Sequence, residues 1–274
     1  MITSLNNGKI KYIKELMKKP ASREKEGCFV AEGVKMFLEA PVDEIRGVYL
    51  NEHLYERLES KEVLPKKYEN CKQKLCEISY EVVSDRVYES MTGTVTPHGI
   101  MTVVSGKKNS LEKILKPKEG KIPLYVILEN LQDPGNLGTI LRSSEAAGVD
   151  GILLSDTCVD FYNPKVIRST MGAIFRVPFL YLKDLEKAIE AMKEKGIQVL
   201  AATLSADSKA YDQYKYDVPT AFLIGNEGNG LQRETIKAAS AEIYIPMLGE
   251  VESLNASVAA SVLMFEAARQ RRNP

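Results

Sequence analysis

Three polar loops hold the side chains that are best placed to carry out chemistry. The first, NLQDPGNLGTILRSSEAAG at 130–148, follows an apolar run of strand length and leads into a helix that Gly148 ends. Asn136 can both donate and accept hydrogen bonds. Arg142 lies six residues further on, where it can hold a phosphate or stabilise developing negative charge. A surface arginine after an ordinary turn explains the same residues without a ligand.

The second loop, GNEGNGL at 225–231, contains three glycines, which allow a ligand to approach the backbone closely. Its spacing, G-x-x-G-x-G, differs from the G-x-G-x-x-G of dinucleotide-binding folds, and it lacks the lysine of a P-loop. The loop is therefore a weak signal for NAD or ATP. Glu227 can bind a cationic group or fix the loop, and a plain turn is the alternative.

The third loop opens the stretch IPMLGEVESLNASVAASVLMFEAA at 245–268. Pro246 ends a strand, and Ser253 and Asn255 both belong to the residue types that cap helices. Apolar residues then recur at helical spacing, at Val258, Val262 and Phe265. With small residues beside them, they predict a helix that is buried on most sides. A capped core helix is one reading, although ligands also bind in such loops at strand ends.

The elements around these loops predict an α/β protein. Apolar runs predict strands at 124–129, 151–155, 177–182, 197–204, 220–225 and 242–245. Predicted helices separate most of them, which favours a mostly parallel sheet covered on both faces. Because the three loops all follow strands, we expect them to share one site at one edge of that sheet.

The first half of the chain predicts a smaller α/β domain. A helix at 5–17 precedes strands at 28–33, 45–52 and 98–104, whereas residues 76–83 mix helix and strand signals. We therefore predict a first domain over 1–105, a lysine-rich linker at 106–121 and a second domain over 122–274.

Charge and composition describe an ordinary globular protein. Lys plus Arg and Asp plus Glu both number 37, so the net charge favours no class of partner. Locally, residues 1–25 hold seven basic and two acidic side chains, and residues 106–121 hold six and two. Either run can be a solvated face, although both together suit a phosphate backbone.

The rare residue types and the N-terminus exclude several classes. Four cysteines without a C-x-x-C pair, and only two histidines, predict that no metal is bound. Reduced cysteines in a cytoplasmic protein are the simplest reading. The N-terminus lacks the apolar core of a signal peptide, and no apolar run is long enough to predict a membrane span.

Taken together, the three loops resemble the three motifs of the SpoU (TrmH) family of RNA 2′-O-methyltransferases in the SPOUT superfamily. The resemblance rests on NLQDPGNLGTILRSSEAAG, LIGNEGNGL and IPMLGEVESLNASVAASVLMFEAARQR, and it covers about 122–272. The first half resembles the family's substrate-binding domain, related to the ribosomal protein L30e fold, through FVAEG and TPHGI. His98 stands where that domain is expected to have Gln.

The resemblance implies a deep trefoil knot in the second domain, against the general rule that chains avoid knots. It also implies that S-adenosylmethionine binds in the knot and that the last helix packs in a homodimer. The implied catalytic residues are Asn136, Arg142, Glu227, Ser253 and Asn255. The implied cofactor-binding residues are Thr203, Leu204, Gly225, Asn226, Gly230, Ile245, Met247 and Leu254.

The implied reaction is attack of a ribose 2′-OH on the methyl group of the cofactor, in which positioning matters most. Neither His53 nor His98 lies in the motif half, and a guanidinium is a poor base. We therefore expect Arg142 to orient the hydroxyl and its phosphate, and the route of the proton stays open. Glu227 is expected to shape the glycine loop and to face Arg142 of its own chain or of a second copy.

The extra N-terminal domain favours 23S rRNA as the substrate, by analogy alone. A tRNA ribose methyltransferase is the first alternative. A non-catalytic RNA-binding protein on the same fold is the second, and a nucleotide-dependent oxidoreductase on an ordinary doubly wound sheet is the third.

Overall fold

The computed structural model of the chain describes residues 1–94 and 97–272. Its helices are α1 (Gly8–Lys18), α2 (Pro20–Glu26), α3 (Val34–Glu39), α4 (Glu52–Glu59), α5 (Lys66–Leu75), α6 (Asp85–Glu89), α7 (Leu111–Ile114), α8 (Pro134–Ala147), α9 (Pro164–Ser169), α10 (Leu185–Glu194), α11 (Arg233–Ala238) and α12 (Ala256–Arg272). Its strands are β1 (Cys28–Glu32), β2 (Ile45–Asn51), β3 (Glu81–Val83), β4 (Ile100–Ser105), β5 (Leu124–Leu128), β6 (Gly151–Ser155), β7 (Phe179–Leu182), β8 (Gln198–Ala202), β9 (Lys209–Ala210), β10 (Thr220–Ile224) and β11 (Ala241–Tyr244). Thr96 of the TPHGI motif and residues 273–274 of the predicted second domain lie outside the described residues.

The chain forms two compact units. The N-terminal unit comprises Met1–Lys107 together with Asp160–Phe175, and the C-terminal unit comprises Lys108–Val159 and the residues from Arg176 onward. This division differs from the predicted domains in one segment, because Asp160–Phe175 packs with the N-terminal unit. The predicted linker is also more than a connector, since its short helix α7 contributes to the core of the C-terminal unit.

The N-terminal unit is built on a four-stranded sheet in the order β1-β4-β2-β3. Strand β4 runs antiparallel to β1 and β2, while β3 runs parallel to β2. Successive residues of a strand point to opposite faces. Accordingly, Tyr49 joins the core formed with α1 and α6, whereas Val48 and Leu50 join the core formed with α3, α4 and α5.

The segment Asp160–Phe175 is held in the N-terminal unit by specific contacts. The guanidinium of Arg23, only 4% exposed, forms an ion pair with Asp160. The ring of Tyr162 stacks on Phe29 with centroids 4.3 Å apart. Because a buried guanidinium is costly unless it is paired, the ion pair fixes where the segment begins.

The C-terminal unit contains a seven-stranded sheet in the order β7-β6-β5-β10-β8-β11-β9. Every neighbouring pair in it is parallel, which confirms the predicted parallel sheet. The strands β5, β6 and β10 are buried along their whole length, as continuous apolar runs require. Since parallel strands end at one edge, the loops after β5, β8, β10 and β11 gather there.

One local expectation about the chain needs correction, and one ambiguous segment is resolved. The helix α12 is not buried on most sides, because Val258 and Phe265 are 47% and 46% exposed while Ala260, Leu263 and Met264 face the core. The ambiguous residues 76–83 follow α5 and end in the short strand β3. Among the described residues, no helix has the length and apolar character needed to span a membrane.

Candidate active site

Three side chains from the three loops form one hydrogen-bonded chain in the C-terminal unit. The amide of Asn136 donates to the Glu227 carboxylate over 2.5 Å. The side-chain amide of Asn255 in turn donates to the side-chain oxygen Oδ1 of Asn136 over 2.9 Å. The structure therefore brings one predicted residue of each loop together, and Asn136 is held on both sides of its amide.

Helix caps position two of these side chains. Asp133 caps α8 and accepts a hydrogen bond from the backbone N–H of Asn136 at 2.7 Å, with Pro134 at the first helical position. Asn255 caps α12, since its side-chain oxygen accepts from the backbone N–H of Ser257 at 2.9 Å. That capping bond uses the oxygen of Asn255 and leaves its NH₂ group to reach Asn136.

The glycine loop closes on itself through backbone hydrogen bonds. Asn226 and Gly230 exchange two of them, at 3.1 and 2.9 Å. In addition, the side-chain amide of Asn226 donates to the backbone carbonyl of Asn130 at 2.8 Å. A Cβ on Gly225 would lie 2.4 Å from the carbonyl carbon of Gly230. Only glycine fits at position 225, because the obstructing atoms are backbone.

Beside this network lies a cavity of about 570 Å³, which we call the acid-lined cavity. Its wall includes every residue implied to bind the cofactor, namely Thr203, Leu204, Gly225, Asn226, Gly230, Ile245, Met247 and Leu254. Glu227 and Ser253 also line it, whereas Asn136 and Asn255 lie outside its wall. The cavity therefore sits at the carboxyl ends of β8, β10 and β11, as the strand order predicts.

The charged side chains of this wall are all acidic. Glu227, Glu242 and Glu252 line the acid-lined cavity, and no Lys, Arg or His does so in the described part of the chain. The hydroxyls of Ser205 and Thr203 each donate to Glu242 over 2.7 Å. These two bonds lower the pKa of Glu242, so it carries its charge at neutral pH.

Comparison with known proteins decides the family. Residues 123–265 match the model of the SpoU rRNA Methylase family, and residues 7–102 match the MRM3-like substrate binding domain. The chain belongs to the SpoU rRNA Methylase family. It is therefore an RNA methyltransferase, and the family resemblance predicted from the three loops is confirmed.

Relatives of this SpoU protein include a 23S rRNA methyltransferase and a protein named only as a tRNA/rRNA methyltransferase. It is 35% identical over 190 residues to an uncharacterized tRNA/rRNA methyltransferase of Synechocystis, covering 69% of this chain and 67% of the relative. It is 30% identical over 184 residues to the 23S rRNA (guanosine(2553)-2′-O)-methyltransferase RlmP of Bacillus subtilis, covering 67% and 70%. The crystal structure of an AdoMet-bound rRNA methyltransferase from Sinorhizobium meliloti aligns with a TM-score of 0.80 and 29% identity, covering 98% and 97%.

Two of the predicted catalytic residues of the SpoU domain stand apart from the network. Arg142 is exposed and forms no hydrogen bond or ion pair with any residue of 1–94 or 97–272. It is six positions from Asn136 on α8, which turns its side chain about 120° away on the helix. Ser253 lines the acid-lined cavity, but its hydroxyl makes no hydrogen bond within the described chain.

Sequence reasoning missed Glu129, a carboxylate of the SpoU domain that is only 3% exposed. It follows β5 and accepts hydrogen bonds from the backbone N–H of Gln232 at 2.7 Å and the hydroxyl of Thr235 at 2.5 Å. Gln232 directly follows the glycine loop and Thr235 lies in α11, so Glu129 holds the junction between that loop and the helix. The available signal was a single acidic residue closing the apolar run LYVIL.

Over residues 1–94 and 97–272, no three or more His, Cys, Asp or Glu side chains are grouped so that they could hold a metal ion.

Proposed function

We propose that this protein transfers a methyl group from S-adenosylmethionine to a ribose 2′-OH of 23S rRNA. One observation carries the proposal. The three motif loops meet at the hydrogen-bonded chain of Asn136, Glu227 and Asn255, beside a cavity walled by all the positions implied to bind the cofactor. The 2′-O position and the rRNA class are supported by the relative RlmP, and the cofactor by the AdoMet-bound rRNA methyltransferase.

The residues of the acid-lined cavity fit this cofactor. S-adenosylmethionine carries a sulfonium and an ammonium group against one carboxylate, so its net charge is positive. Three glutamates and no basic side chain line the wall, which favours a cationic ligand. The bare backbone at Gly225 and Gly230 lets the ligand approach closely, and neighbouring apolar residues such as Leu254 and Ile245 offer a surface for the adenine ring.

In the reaction, the bound cofactor supplies a methyl group that its sulfonium already activates. The protein's task is to hold the ribose hydroxyl in line with that methyl group. Asn136 has both ends of its amide fixed, by Glu227 and by Asn255, so it is a rigid group beside the site. Arg142 has no partner among residues 1–94 and 97–272, and its guanidinium is available to hold the phosphate next to the reacting ribose.

A homodimer completes this proposal. Val258 and Phe265 form an exposed apolar stripe on α12, a helix whose other face packs on α8. A second copy packed on the stripe removes these apolar side chains from water. The second copy can also bring its own Glu227 to Arg142, which has no partner among the described residues. The trefoil knot, which the family resemblance implies, and a cytoplasmic location, which the unpaired cysteines of the sequence favour, belong to the same proposal.

The dimer has a direct test. Charge placed on the stripe by Val258→Asp with Phe265→Asp should shift the protein from dimer to monomer in sedimentation velocity, because a buried unpaired carboxylate is costly. A matched change on exposed Lys195→Asp should leave the dimer intact. A monomeric wild-type protein would contradict the proposed dimer.

Methyl transfer is the test of the function itself. Labelled S-adenosylmethionine is incubated with the protein and RNA that lacks the modification, and the RNA is separated into 23S, 16S and tRNA before digestion to nucleosides. We expect label in 2′-O-methylated nucleosides of 23S rRNA. Arg142→Ala should abolish transfer while cofactor binding by calorimetry stays within about twofold, and Arg233→Ala, another exposed arginine, should behave as wild type.

The other outcomes separate the alternatives. Label confined to tRNA would make the protein a tRNA ribose methyltransferase. Cofactor binding without transfer to any fraction would favour a non-catalytic RNA-binding protein. Loss of cofactor binding in Arg142→Ala would give Arg142 a structural role instead.

A further inference from the structure

A second cavity lies within the N-terminal unit and has the opposite charge. It encloses about 310 Å³, and we call it the basic cavity. Its wall comes from α1, the residues that follow α6, and α9 of the Asp160–Phe175 segment. Basic side chains line it at Lys14, Lys18, Arg23, Lys165 and Arg168, and no Asp or Glu does so among the described residues.

Four of these five cations have no partner among the described residues. Arg23 is neutralised by Asp160. In contrast, the side chains of Lys14, Lys18, Lys165 and Arg168 form no hydrogen bond or ion pair in the part of the chain that the structure describes. Other basic residues of the same N-terminal run are paired, as Lys9 is with Glu81 and Lys19 with Glu15. Lys11 and Lys25 of this run are also unpaired among the described residues but lie outside the wall, so what distinguishes the cavity is that four unpaired cations line one wall.

The spacing of these cations is unfavourable without an anion. Lys14 and Lys18 are four residues apart on α1, and Lys165 and Arg168 are three apart on α9, so each pair shares a helix face. Like charges at these spacings repel one another and weaken a helix. An anion bound between α1 and α9 would attract all four cations and so offset the repulsion within each pair.

The neutral polar groups of the wall are already engaged. The Ser90 hydroxyl donates to the Val87 carbonyl at 2.6 Å, and the Thr92 hydroxyl donates to the Glu32 carboxylate at 2.8 Å. The Asn163 oxygen accepts from the backbone N–H of Lys165 at 2.9 Å. The free donors of the cavity are therefore mainly charged, which suits phosphate oxygens better than the edges of bases.

The wall is also fixed in place. The Arg23 guanidinium joins α2 to Asp160 and donates to the Leu16 carbonyl of α1, so one buried side chain ties α1 to the segment that carries α9. Cations on a fixed scaffold lose less entropy when they bind an anion than cations on mobile segments do.

We propose that the basic cavity binds the phosphodiester backbone of the substrate RNA. The charge and geometry assign a phosphate ligand, and its identity as RNA rests on the proposed function. The contact contributes affinity without reading sequence, because phosphate contacts position a nucleic acid and base contacts specify it.

The test measures RNA affinity by fluorescence anisotropy over a range of salt concentrations, in the absence of cofactor. Lys14→Gln with Arg168→Gln should raise the Kd for a 23S rRNA fragment by about tenfold and reduce the slope of log Kd against log salt by about 1.5. The matched control, Lys35→Gln with Lys61→Gln, removes two exposed, unpaired charges of the same unit outside the cavity and should change Kd less than twofold. The single variant Arg168→Lys keeps the charge and should keep the slope.

Each further result has one reading. Unchanged thermal melting and unchanged cofactor affinity in the Lys14/Arg168 variant show that the protein is folded. Equal loss in the control pair, or wild-type affinity and slope in the cavity variant, would overturn the inference while methyl transfer by the wild type still supported the function. Tight binding of a mononucleotide, lost in the cavity variant, would overturn the assignment to an RNA backbone.

If the wild type transfers no methyl group but the cavity variant still loses RNA affinity, the proposed function fails and the RNA site stands.

Discussion

The acid-lined cavity and the basic cavity differ in how each unit treats charge. The first has three glutamates and no basic residue in its wall, and two of the glutamates, Glu227 and Glu242, accept hydrogen bonds from neighbouring side chains. The second has five basic residues and no acid, and four of its cations are unpaired. These charges are those of the described residues that line each cavity.

The net charge of a protein is therefore a poor guide to the charge of the ligands that it binds. The chain has equal numbers of basic and acidic residues, yet the two signs are sorted between two cavities. A cationic small molecule and a polyanion can then bind to one protein without competing, because each is attracted by one wall and repelled by the other.

The largest effect is expected at Gly225. Gly225→Ala places a Cβ 2.4 Å from the Gly230 carbonyl carbon, and the backbone of the glycine loop must open to admit it. Cofactor affinity should fall by more than about 100-fold, which equals roughly 2.7 kcal/mol. RNA affinity should stay within about twofold, because the basic cavity belongs to the other unit.

Gly228→Ala is the control for Gly225→Ala in the same loop. A Cβ there meets its nearest neighbour, the Asn226 side-chain oxygen, at 3.5 Å, which is an ordinary contact. Its cofactor affinity, measured by calorimetry, should match the wild type. Equal losses in both variants would mean that the loop tolerates no change at all, and the argument from close backbone approach would fail.

A loss of intermediate size is expected at Glu129. Glu129→Gln keeps the shape of the side chain but replaces one carboxylate oxygen with an NH₂ group. That NH₂ group faces the Gln232 N–H or the Thr235 hydroxyl, which are donors themselves. One acceptor is lost in a buried place, at a cost of about 1–3 kcal/mol in the free energy of unfolding. Chemical denaturation should detect this loss, and Thr235→Val should cost less, because it leaves Glu129 bound to Gln232.

A smaller effect is expected at Glu242, on the wall of the acid-lined cavity. Glu242→Gln removes one negative charge but keeps the size of the side chain. Cofactor affinity should fall by about fivefold, or roughly 1 kcal/mol, if the sign of the wall attracts the ligand. Glu234→Gln, on exposed α11 and outside the cavity, should have no effect. Unchanged affinity in Glu242→Gln would show that shape alone selects the ligand.

The smallest effect concerns the second basic run, at 106–121. Its Lys118 and Lys121 bind Asp150, which is only 6% exposed. Burial raises the pKa of Asp150, but hydrogen bonds from Lys121, Leu124 and Lys118 outweigh it and leave the pKa below its usual value. Stability from this group is therefore present above the unfolded pKa of about 4 and is lost as pH falls below it.

Urea unfolding at pH 7 and pH 3 measures this acid loss. Asp150→Asn should lower the free energy of unfolding at pH 7 and make it fall less between the two values. Lys118→Gln with Lys121→Gln should likewise lower stability, yet it should leave RNA affinity nearly unchanged, unlike the Lys14/Arg168 variant. A large loss of RNA affinity would show that this run also contacts phosphates.

Much of the site could be predicted from the sequence because its chemistry lies in local loops. The glycines of 225–231, the cap at Asn255 and the amide of Asn136 are each visible in a short motif, and parallel strands bring such loops to one edge. The alternation of apolar runs likewise predicted the parallel sheet of the C-terminal unit.

What could not be predicted depends on contacts between distant residues. The pairing of Arg23 with Asp160 joins residues 137 positions apart and draws α9 into the N-terminal unit. The buried role of Glu129 appears only when Gln232 and Thr235 pack against it. Periodicity on α12 showed an apolar stripe at Val258 and Phe265, but not whether it faces the core.

The central claim is that two cavities of opposite charge bind two different ligands, and the direct measurement is a pair of affinities. The Kd for S-adenosylmethionine and the Kd for the 23S rRNA fragment are measured on Gly225→Ala and on the Lys14→Gln with Arg168→Gln variant. The account predicts that the first variant loses only cofactor affinity and the second only RNA affinity. Loss of both ligands in either variant, with thermal melting unchanged, would contradict it.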